Sequence, residues 1–381
     1  MYTYINTNLE SIKMIRNSII NVRHLALGSK LDGDTWNNMS VPWSYSTDPH
    51  DEVVAVRTRA GLYDISGLNI VNIIGPDALS VVDKLVAKDI TKLAIGDSIL
   101  AAEVDESGAL CDDIMIIRDG ENEFRASHGS GKTPEHLKIL SQGKDVKIEP
   151  DLDGHIFSLQ GPKSLAILSP HVSFDLEKLP YFKNIKCSLF SKNVKIARGG
   201  YSGERGYEVY CSSKDALEIW DKILEVGKSF GIVAASWNSL ELARVEAGLL
   251  FFPFEMPEGD TTPWEVNMGW GVDVDKVGDY IGKNAVLASR GKERFKQAGL
   301  ICKSVTAVET GAKIFKDDQE IGVVTSASYS RYLMQSIAMV HLKPEYVAIG
   351  TTVKVVGSQS SCQAYVAPTP FYDQMRLRPQ L

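Results

Sequence analysis

The chain has 381 residues, and its 41 lysine and arginine residues against 48 aspartate and glutamate residues give a formal net charge of −7. At roughly 150 residues per domain, this length predicts two or three domains. A pI of about 5.6 excludes a chain-wide basic surface for nucleic acid or for an anionic membrane. Hydrophobic residues at 44% and charged residues at 23% exclude global disorder.

Five cysteines are scattered along the chain, without a C-x-x-C pair or a Cys/His group at zinc-ligand spacing. This pattern is typical of reduced structural thiols, so we expect a cytoplasmic protein without a metal site. Apolar runs in the sequence fall short of the roughly 18 residues that a membrane-spanning helix needs. These features predict a protein with neither a nucleic-acid nor a membrane partner.

Apolar residues near the N-terminus recur at the spacing of one helix face: Leu9, Ile12, Ile15, Ile19 and Val22. We expect a helix here that docks onto the folded protein. A transit peptide is the alternative. A secretory signal would need a continuous apolar segment, which these residues do not form.

Past a turn-rich segment, short strands alternate with short helices. Strands are expected at 68–74, 99–104, 113–117 and 123–126, and a helix at 77–86 with Asp77 as its N-cap. The stretch "IIGPDALSVV" is repeated later as "SLQGPKSLAIL", again a strand, a Gly-Pro turn and a helix. The repeat predicts two related α+β lobes.

The second half continues with helices and ends in strands. Helices are expected at 214–227 and 238–249, and residues 276–294 have the composition of a linker. From about residue 298 the pattern is strand after strand, separated by glycines, which favours a small β-barrel or sandwich.

Residues 126–133, Ala-Ser-His-Gly-Ser-Gly-Lys-Thr, match a phosphate-binding loop with alanine in place of its first glycine. However, Pro134 follows where the phosphate-binding helix should already be running, and no apolar strand ending in aspartate follows to hold magnesium. A plain turn into a helix is the better interpretation, and nucleotide binding is the weakest alternative. The seven histidines form no metal-ligand spacing, and no G-x-S-x-G motif supports a hydrolase.

Two motifs carry candidate chemistry. Asp112 and Asp113 precede an apolar strand, so one side chain can face a cavity and the other solvent. A carboxylate at a strand start in a cleft suits a general acid or a charge stabiliser, and turn formation is the alternative. In residues 198–208, four glycines permit close backbone approach, Tyr201 offers a stacking face, and Glu208 follows in a strand. A carboxylate beside a ring suits a heterocycle with two N–H donors, and a plain hairpin is the alternative.

These motifs occur in the same order in a known family. The chain resembles the glycine cleavage T-protein, or aminomethyltransferase, family and its tetrahydrofolate-dependent demethylase relatives. The matching stretches between residues 50 and 373 include "DESGALCDDIMIIRD", "GGYSGERGYEVY", "LARVEAGLL", "TPWEVNMGWGVD" and "IGVVTSASYS".

The resemblance implies an α+β fold of three domains in a ring, with tetrahydrofolate as co-substrate in the central hole. The expected division is residues 1–54 with 154–275, the inserted 55–153, the linker 276–297, and a barrel-like domain at 298–381. It implies that Asp113 is the catalytic carboxylate. The expected folate-binding residues are Glu208, Tyr201, Arg205, Ser127 and Trp264, and the expected donor-binding residues are Trp43, Tyr45, Phe252 and Phe254. Arg244 and Glu246 are expected to be structural.

The chain departs from the family pattern on the side that would face the donor. The pattern Asp-x-Ser-His-Met-Gly is here Asp-Ile-Ser-Gly-Leu-Asn, so Gly67 replaces the histidine. An arginine that precedes the Arg-Leu-Glu-Ala-Gly motif is also absent, and the residues there are Ser239, Leu240 and Glu241. The pattern therefore supports folate more firmly than an aminomethyl-lipoyl donor.

We expect a one-carbon transferase in which folate N5 attacks an electrophilic carbon unit. Aminomethyl transfer from a lipoyl carrier protein is the first candidate. Demethylation of a small methylated amine, sulfonium compound or methyl ether is the second, with onium cations held by aromatic rings. A folate-binding protein without transferase activity is the third candidate.

Overall fold

The computed structural model describes residues 16–129, 131–252, 254–256 and 258–381. Most of the docking helix expected from Leu9 to Val22 lies outside these residues. The first described helix begins at Asn21.

The elements follow one another in chain order as short strands and helices. Up to residue 150 they are α1 (Asn21–Ala26), β1 (Thr35–Trp36), β2 (Met39–Ser40), α2 (Pro49–Thr58), β3 (Gly61–Asp64), β4 (Asn69–Ile74), α3 (Ala78–Leu85), β5 (Ser98–Val104), β6 (Leu110–Gly120), β7 (Glu123–His128), α4 (Thr133–Leu140) and β8 (Lys147–Pro150). Up to residue 246 they are β9 (Gly154–Gln160), α5 (Ser164–Leu168), β10 (Asn184–Leu189), β11 (Lys192–Arg198), β12 (Gly206–Ser212), α6 (Ser213–Gly227), β13 (Val233–Ala234) and α7 (Trp237–Glu246). The last are α8 (Lys283–Ser289), β14 (Lys296–Cys302), β15 (Lys313–Lys316), β16 (Gln319–Ser330), β17 (Gln335–Leu342), β18 (Thr352–Val356) and β19 (Ser361–Ala367).

Two mixed lobes each carry helices on one face of a sheet. The five-stranded sheet has the order β5-β6-β7-β4-β8, and apolar residues of α3 and α4 pack on one of its faces. The six-stranded sheet has the order β10-β11-β12-β9-β3-β13, and α6 packs on it through the fully buried Trp220. The expectation of two α+β lobes is confirmed.

The repeated strand–Gly-Pro–helix unit appears once in each lobe. Gly75 follows β4 with φ +144°, and Gly161 follows β9 with φ +124°. A Cβ atom at either glycine would lie 2.5–2.6 Å from a backbone oxygen, that of Asp145 or Val56 respectively. Each turn therefore requires glycine for the close approach of a second chain segment.

The expected boundary at residue 55 is wrong for the segment that follows it. Strand β3 pairs with β9 in the six-stranded sheet, with Leu62 opposite Leu159. Residues 61–64 thus belong to the first lobe, and the Leu62 side chain is part of its core. The five-stranded sheet begins only with β4.

The C-terminal strands form a closed barrel in the order β14-β17-β16-β15-β18-β19. Its interior is filled by valine, leucine, isoleucine and alanine side chains. The expectation of a barrel-like last domain is confirmed, and the expected linker contains α8.

The helix-free faces of the two sheets meet. Tyr63, Ile156 and Tyr210 from the six-stranded sheet cluster with Ile70 from β4. Side chains alternate along a strand, so these residues lie on the faces opposite to the helices. The candidate site therefore lies between the two sheets.

Candidate active site

Asp112 and Asp113 lie at the start of β6 and point to opposite faces of the sheet. Asp112 is 1% exposed, and its carboxylate accepts the backbone N–H groups of Gly129 at 2.9 Å and Gly131 at 3.2 Å. Asp113 is partly exposed on the other face. The expectation that one of the pair faces solvent is therefore wrong, because Asp112 is covered by the loop after β7.

That loop is the segment that resembles a phosphate-binding loop. Its N–H groups bind the Asp112 carboxylate, and Lys132 pairs with Asp105 at 2.8 Å. A Cβ atom at Gly131 would lie 2.4 Å from the carbonyl oxygen of Cys111, so the loop fits tightly around the strand start. The loop leads into α4, as the interpretation of a plain turn predicts.

Three segments that are distant in sequence meet around Asp113. The Asp113 charge acts on the phenol of Tyr201, and the Glu255 carboxylate acts on Asp113. Burial raises the pKa of Asp113 to about 7, and the negative charge of Glu255 adds to the rise. Burial and the neighbouring Asp113 also raise the pKa of Asp112, against its N–H donors. Asp113 is therefore poised to give and to take a proton near neutral pH.

Tyr201 is held by the glycine-rich turn before β12. Its hydroxyl donates to the carbonyl oxygen of Leu250, and burial raises its pKa well above the usual value. Cβ atoms at Gly200 and Gly206 would both lie 2.1 Å from the Gln160 side-chain nitrogen. The turn requires glycine because the Gln160 amide fills it, bonded to Ser202 at 2.6 Å.

Glu208 lies in β12 on the face that meets the other lobe. Its Oε2 accepts the hydroxyl proton of Tyr210 at 3.0 Å, and among the described residues no protein donor reaches Oε1. Burial raises the pKa of Glu208, and the Tyr210 hydrogen bond opposes the rise. The partly buried oxygen fits a ligand N–H. Tyr210 was not among the expected residues, although its position two residues after Glu208 on one strand was a usable signal.

The other expected folate-binding residues differ in placement. Ser127 lies opposite Met115 and therefore on the same face as Asp113. Arg205 donates to the Tyr207 hydroxyl at 3.0 Å, on the opposite side of β12 from Glu208. Trp264 is 8% exposed and donates its indole N–H to Val286 at 2.7 Å, which makes it a core residue.

The expected donor-binding residues do not form one cage. The expectation that Tyr45 contacts the donor is corrected. Its hydroxyl lies 2.9 Å from His24 Nδ1, in a buried hydrogen-bond network that includes Asp64. Trp43 packs on Trp237 at 5.8 Å between ring centroids.

The two expected phenylalanines, Phe252 and Phe254, lie in different environments. Phe252 packs into the core around Trp264, whereas Phe254 is 53% exposed and lies 5.0 Å from Phe251. Phe251 stacks on Trp36 at 5.0 Å and has the Arg244 guanidinium 5.5 Å from its ring centre. Within the described residues, Phe251 is therefore already packed against Trp36, Phe254 and Arg244, and its ring has no free face for an onium cation.

Arg244 connects α7 to the barrel. It donates to Glu255 at 2.8 Å, to Ser326 at 2.7 Å and to Glu241 at 2.9 Å. Burial opposes its charge, but the two carboxylates hold its pKa above the usual value. Glu246 accepts from Arg57 at 2.8 Å. Both contact sets agree with a structural role, and those of Arg244 fix the Glu255 carboxylate.

Trp36 packs beside Gly67, the residue at the position where the family pattern has a histidine. A Cβ atom at Gly67 would lie 3.4 Å from Trp36 Cδ1 and 3.3 Å from Val41 Cγ1. The Trp36 indole N–H is buried and has no hydrogen-bond partner among the described residues. The indole therefore covers the space into which a side chain at residue 67 would project.

The described residues contain neither a metal-binding cluster nor a membrane-spanning helix. No group of three or more His, Cys, Asp and Glu side chains there is arranged to hold a metal ion. No described helix combines the length and apolarity needed to cross a bilayer. All five cysteines have free thiols.

The sequence matches two family models, the GCVT N-terminal domain over residues 22–276 and the glycine cleavage T-protein C-terminal barrel domain over residues 296–373. The heme-dependent oxidative N-demethylase gamma subunit of Ectopseudomonas mendocina is 39% identical, and the match covers 94% of this chain and 96% of that protein. An aminomethyltransferase of Bacillus cereus is 31% identical over 92% of this chain and 95% of that protein.

A solved structure has the same fold. The aminomethyltransferase T of the glycine cleavage system from Bartonella henselae superposes with a TM-score of 0.86 at 24% identity. The match covers 94% of this chain and 99% of that protein. The two sheets and the barrel described above are therefore the architecture of that structure.

Proposed function

Since this chain belongs to the glycine cleavage T-protein family, we propose that it is a one-carbon transferase in which N5 of tetrahydrofolate accepts the carbon unit. The observation that carries the proposal is that Asp113 on β6 and Glu208 on β12 lie on the facing sides of the two sheets, where Tyr201 and Glu255 are near enough for their charges and that of Asp113 to act on one another. Charged groups in such a sheltered cleft act more strongly than in water.

Glu208 would bind the pterin. A pterin presents neighbouring N–H donors, and a carboxylate with one free oxygen is their natural acceptor. Tyr210 holds the other oxygen at 3.0 Å, which orients the carboxylate before the ligand arrives. Because burial disfavours an unpaired carboxylate, the ligand's N–H groups would stabilise the charged form.

Asp113 would move the proton. When an amine leaves the one-carbon unit it needs a proton, and the cation that remains needs a negative charge nearby. A carboxyl group with a pKa near neutrality serves both needs, giving the proton first and stabilising the cation afterwards. Tyr201 lies near enough for the Asp113 charge to act on its phenol, and its hydroxyl is fixed by the Leu250 carbonyl.

Aminomethyl transfer from a lipoyl carrier protein is the first candidate reaction, because it is the activity that the Bacillus cereus relative is named for. Demethylation of a small methylated amine is the second candidate. It is favoured by the relative named as the gamma subunit of an N-demethylase, and by Trp36 over Gly67. In that case this chain would work as one subunit of a larger complex.

The product identifies the reaction. Purified protein is incubated with tetrahydrofolate and ¹³C-labelled donors, namely an aminomethylated lipoyl protein, dimethylamine and a dimethylsulfonium compound, and the folates are analysed by mass spectrometry. Labelled methylene-tetrahydrofolate from the lipoyl protein alone supports the first candidate. Labelled folate from a methylated donor alone supports the second.

Asp113→Asn is the matched control, because it removes the proton-handling group and keeps the side-chain shape. If tetrahydrofolate binds but no donor yields labelled folate, with or without a partner subunit, the transferase proposal fails. The protein would then be a folate-binding protein.

A further inference from the structure

A second cleft of about 580 Å³ lies between the two lobes, and Asp113, Tyr201 and Glu208 are not among its lining residues. It is bounded by β7 of one sheet and by β9 to β12 of the other. Its polar lining includes Arg125, His155, Lys186, Lys195, Tyr210 and Ser212. Apart from Tyr210, which orients Glu208, the proposed transfer reaction uses none of these groups.

Two buried polar atoms of this cleft have no partner among the described residues. Arg125 donates its Nε to Asp119 at 2.7 Å and lies 5.1 Å from the Tyr210 ring centre, but its buried Nη2 makes no hydrogen bond. His155 is 5% exposed, and its buried Nε2 also has none. Buried polar atoms are normally paired, so both point to a missing partner.

The tautomer of His155 defines what that partner must be. Nδ1 lies 3.1 Å from the carbonyl oxygen of Asp153, so Nδ1 carries the proton. In the neutral ring Nε2 is then an acceptor. The cleft thus offers an acceptor at His155 and donors at Arg125, Lys186 and Lys195.

Three basic side chains, Arg125, Lys186 and Lys195, line the cleft together with the carboxylates of Asp151 and Asp153. The charges of Arg125 and Lys186 act on the buried Lys195, whose pKa is lowered to about 8, mainly by burial. Asp119 is the counter-charge, bonded to both Lys195 and Arg125. The lining carboxylates are engaged in the turn before β9, where Asp151 accepts the N–H of Gly154 at 2.8 Å and Asp153 accepts from Ser213.

We propose that this cleft is a binding site for a small anion, one that carries phosphate or carboxylate oxygens for Arg125, Lys186 and Lys195 and a hydroxyl or amino donor for His155. The anion bridges the lobes, since Arg125 comes from β7 and the other three groups from β9 to β11. Tyr210 borders both this cleft and Glu208. The site is independent of the transfer reaction and does not rest on it.

The test is calorimetric titration of the full chain with inorganic phosphate and with citrate, at constant ionic strength set by sodium chloride. Saturable binding is expected, together with a rise in the thermal midpoint that sodium chloride alone does not produce. Lys186→Gln and Arg125→Gln should each weaken binding about tenfold, the effect of losing one charge-assisted hydrogen bond.

Lys186 is the safer variant, because it is exposed, whereas Arg125 also holds Asp119. Lys354→Gln, an exposed lysine on the barrel, is the matched control and should bind as the unaltered chain does. Absence of saturable binding of either anion, or equal affinity in Lys186→Gln and the control, would overturn the proposal.

Two sources can supply the anion, a free metabolite or the γ-glutamyl tail of a folate. The phosphate titration is repeated in the presence of tetrahydrofolate with one glutamate and with five. Competition by the pentaglutamate alone identifies the tail as the occupant, and unchanged phosphate binding in both identifies a free anion. Either result supports the site.

Discussion

The carboxylate of Asp112 accepts the backbone N–H of Gly129 at 2.9 Å, and this bond joins the start of β6 to the loop after β7. Side chains alternate along a strand. Fixing Asp112 against the loop therefore directs Asp113 to the other face of its sheet, toward the six-stranded sheet. A loop with the composition of a phosphate-binding loop thus binds a carboxylate of its own chain. The bond holds the proposed catalytic group before any ligand binds.

The first prediction concerns the two aspartates separately. Asp113→Asn should lower turnover by about 10²-fold or more, the usual contribution of a general acid–base group, with tetrahydrofolate affinity nearly unchanged and the thermal midpoint at neutral pH raised, because the buried charge is removed. Steady-state kinetics and calorimetry measure the two effects.

Asp112→Asn should act differently. The buried Asp112 accepts three N–H groups, including that of Asp113 at 2.9 Å. Loss of its charge should therefore lower the free energy of unfolding by about 1–3 kcal/mol.

Full activity in the other variant, Asp113→Asn, would remove Asp113 from the mechanism.

The second prediction concerns pH. Burial raises the pKa of Asp113 to about 7 in the folded chain, so below pH 7 the folded protein binds a proton that the unfolded chain has already released. Stability should therefore fall as pH rises from about 4 to 7. Because Asp113 first gives a proton in the proposed reaction, kcat/KM should fall as pH rises through about 7.

The variant Asp113→Asn tests the expected pH dependence of stability. Its denaturation midpoint should depend less on pH between 4 and 7 than that of the unaltered protein. An identical pH profile of stability in the two proteins would show that Asp113 titrates normally.

The third prediction separates the two faces of β12. Glu208→Gln should weaken tetrahydrofolate binding about tenfold, because it loses a charge-assisted acceptor for the pterin. Tyr210→Phe should weaken it less, since Glu208 loses a hydrogen bond of 3.0 Å but keeps its charge. Calorimetric titration measures both changes.

Arg205→Gln is the control from the other face. Its guanidinium contacts Tyr207, so folate affinity should remain within about twofold of the original value. A tenfold loss in this variant would return Arg205 to the folate site, as the family resemblance first indicated.

The fourth prediction concerns the link between α7 and the barrel. Glu255→Gln should lower the free energy of unfolding by about 1–3 kcal/mol, because the buried Arg244 loses its charged partner at 2.8 Å and keeps Glu241 as its counter-charge. Urea denaturation followed by fluorescence measures the loss.

An exposed ion pair serves for comparison. Arg331 pairs with Asp48 at 2.7 Å on the surface, and Arg331→Ala should leave stability unchanged within error. Equal losses in the two variants would show that burial of the Arg244 pair has no special effect.

Local patterns were sufficient for most of the fold. The strand–Gly-Pro–helix repeat predicted two lobes, and the glycine-separated strands predicted a barrel, because alternation and turn chemistry are local properties. The boundary at residue 55 was wrong because β3 pairs with β9 almost a hundred residues later, and strand pairing at that distance leaves no local signal.

The candidate site divides in the same way. The pair Asp112 and Asp113 and the carboxylate of Glu208 were candidates from their motifs, and the choice of Asp113 came from the family resemblance. Tertiary structure alone decided that Asp112 is held by the loop, that Arg205 points away from Glu208 and that Tyr45 is buried with His24. These facts depend on which face of a strand meets which neighbour.

The sequence by itself determined an acidic chain of several domains with the motifs of a folate-dependent family, because composition and motif order need no folding to be read. Only the tertiary structure decided where positive charge gathers. It brings Arg125, Lys186 and Lys195 from three strands to one cleft in a chain of net charge −7. Net charge is a sum over the chain, whereas a binding site depends on the distances between side chains, and the packing of the two sheets sets those distances.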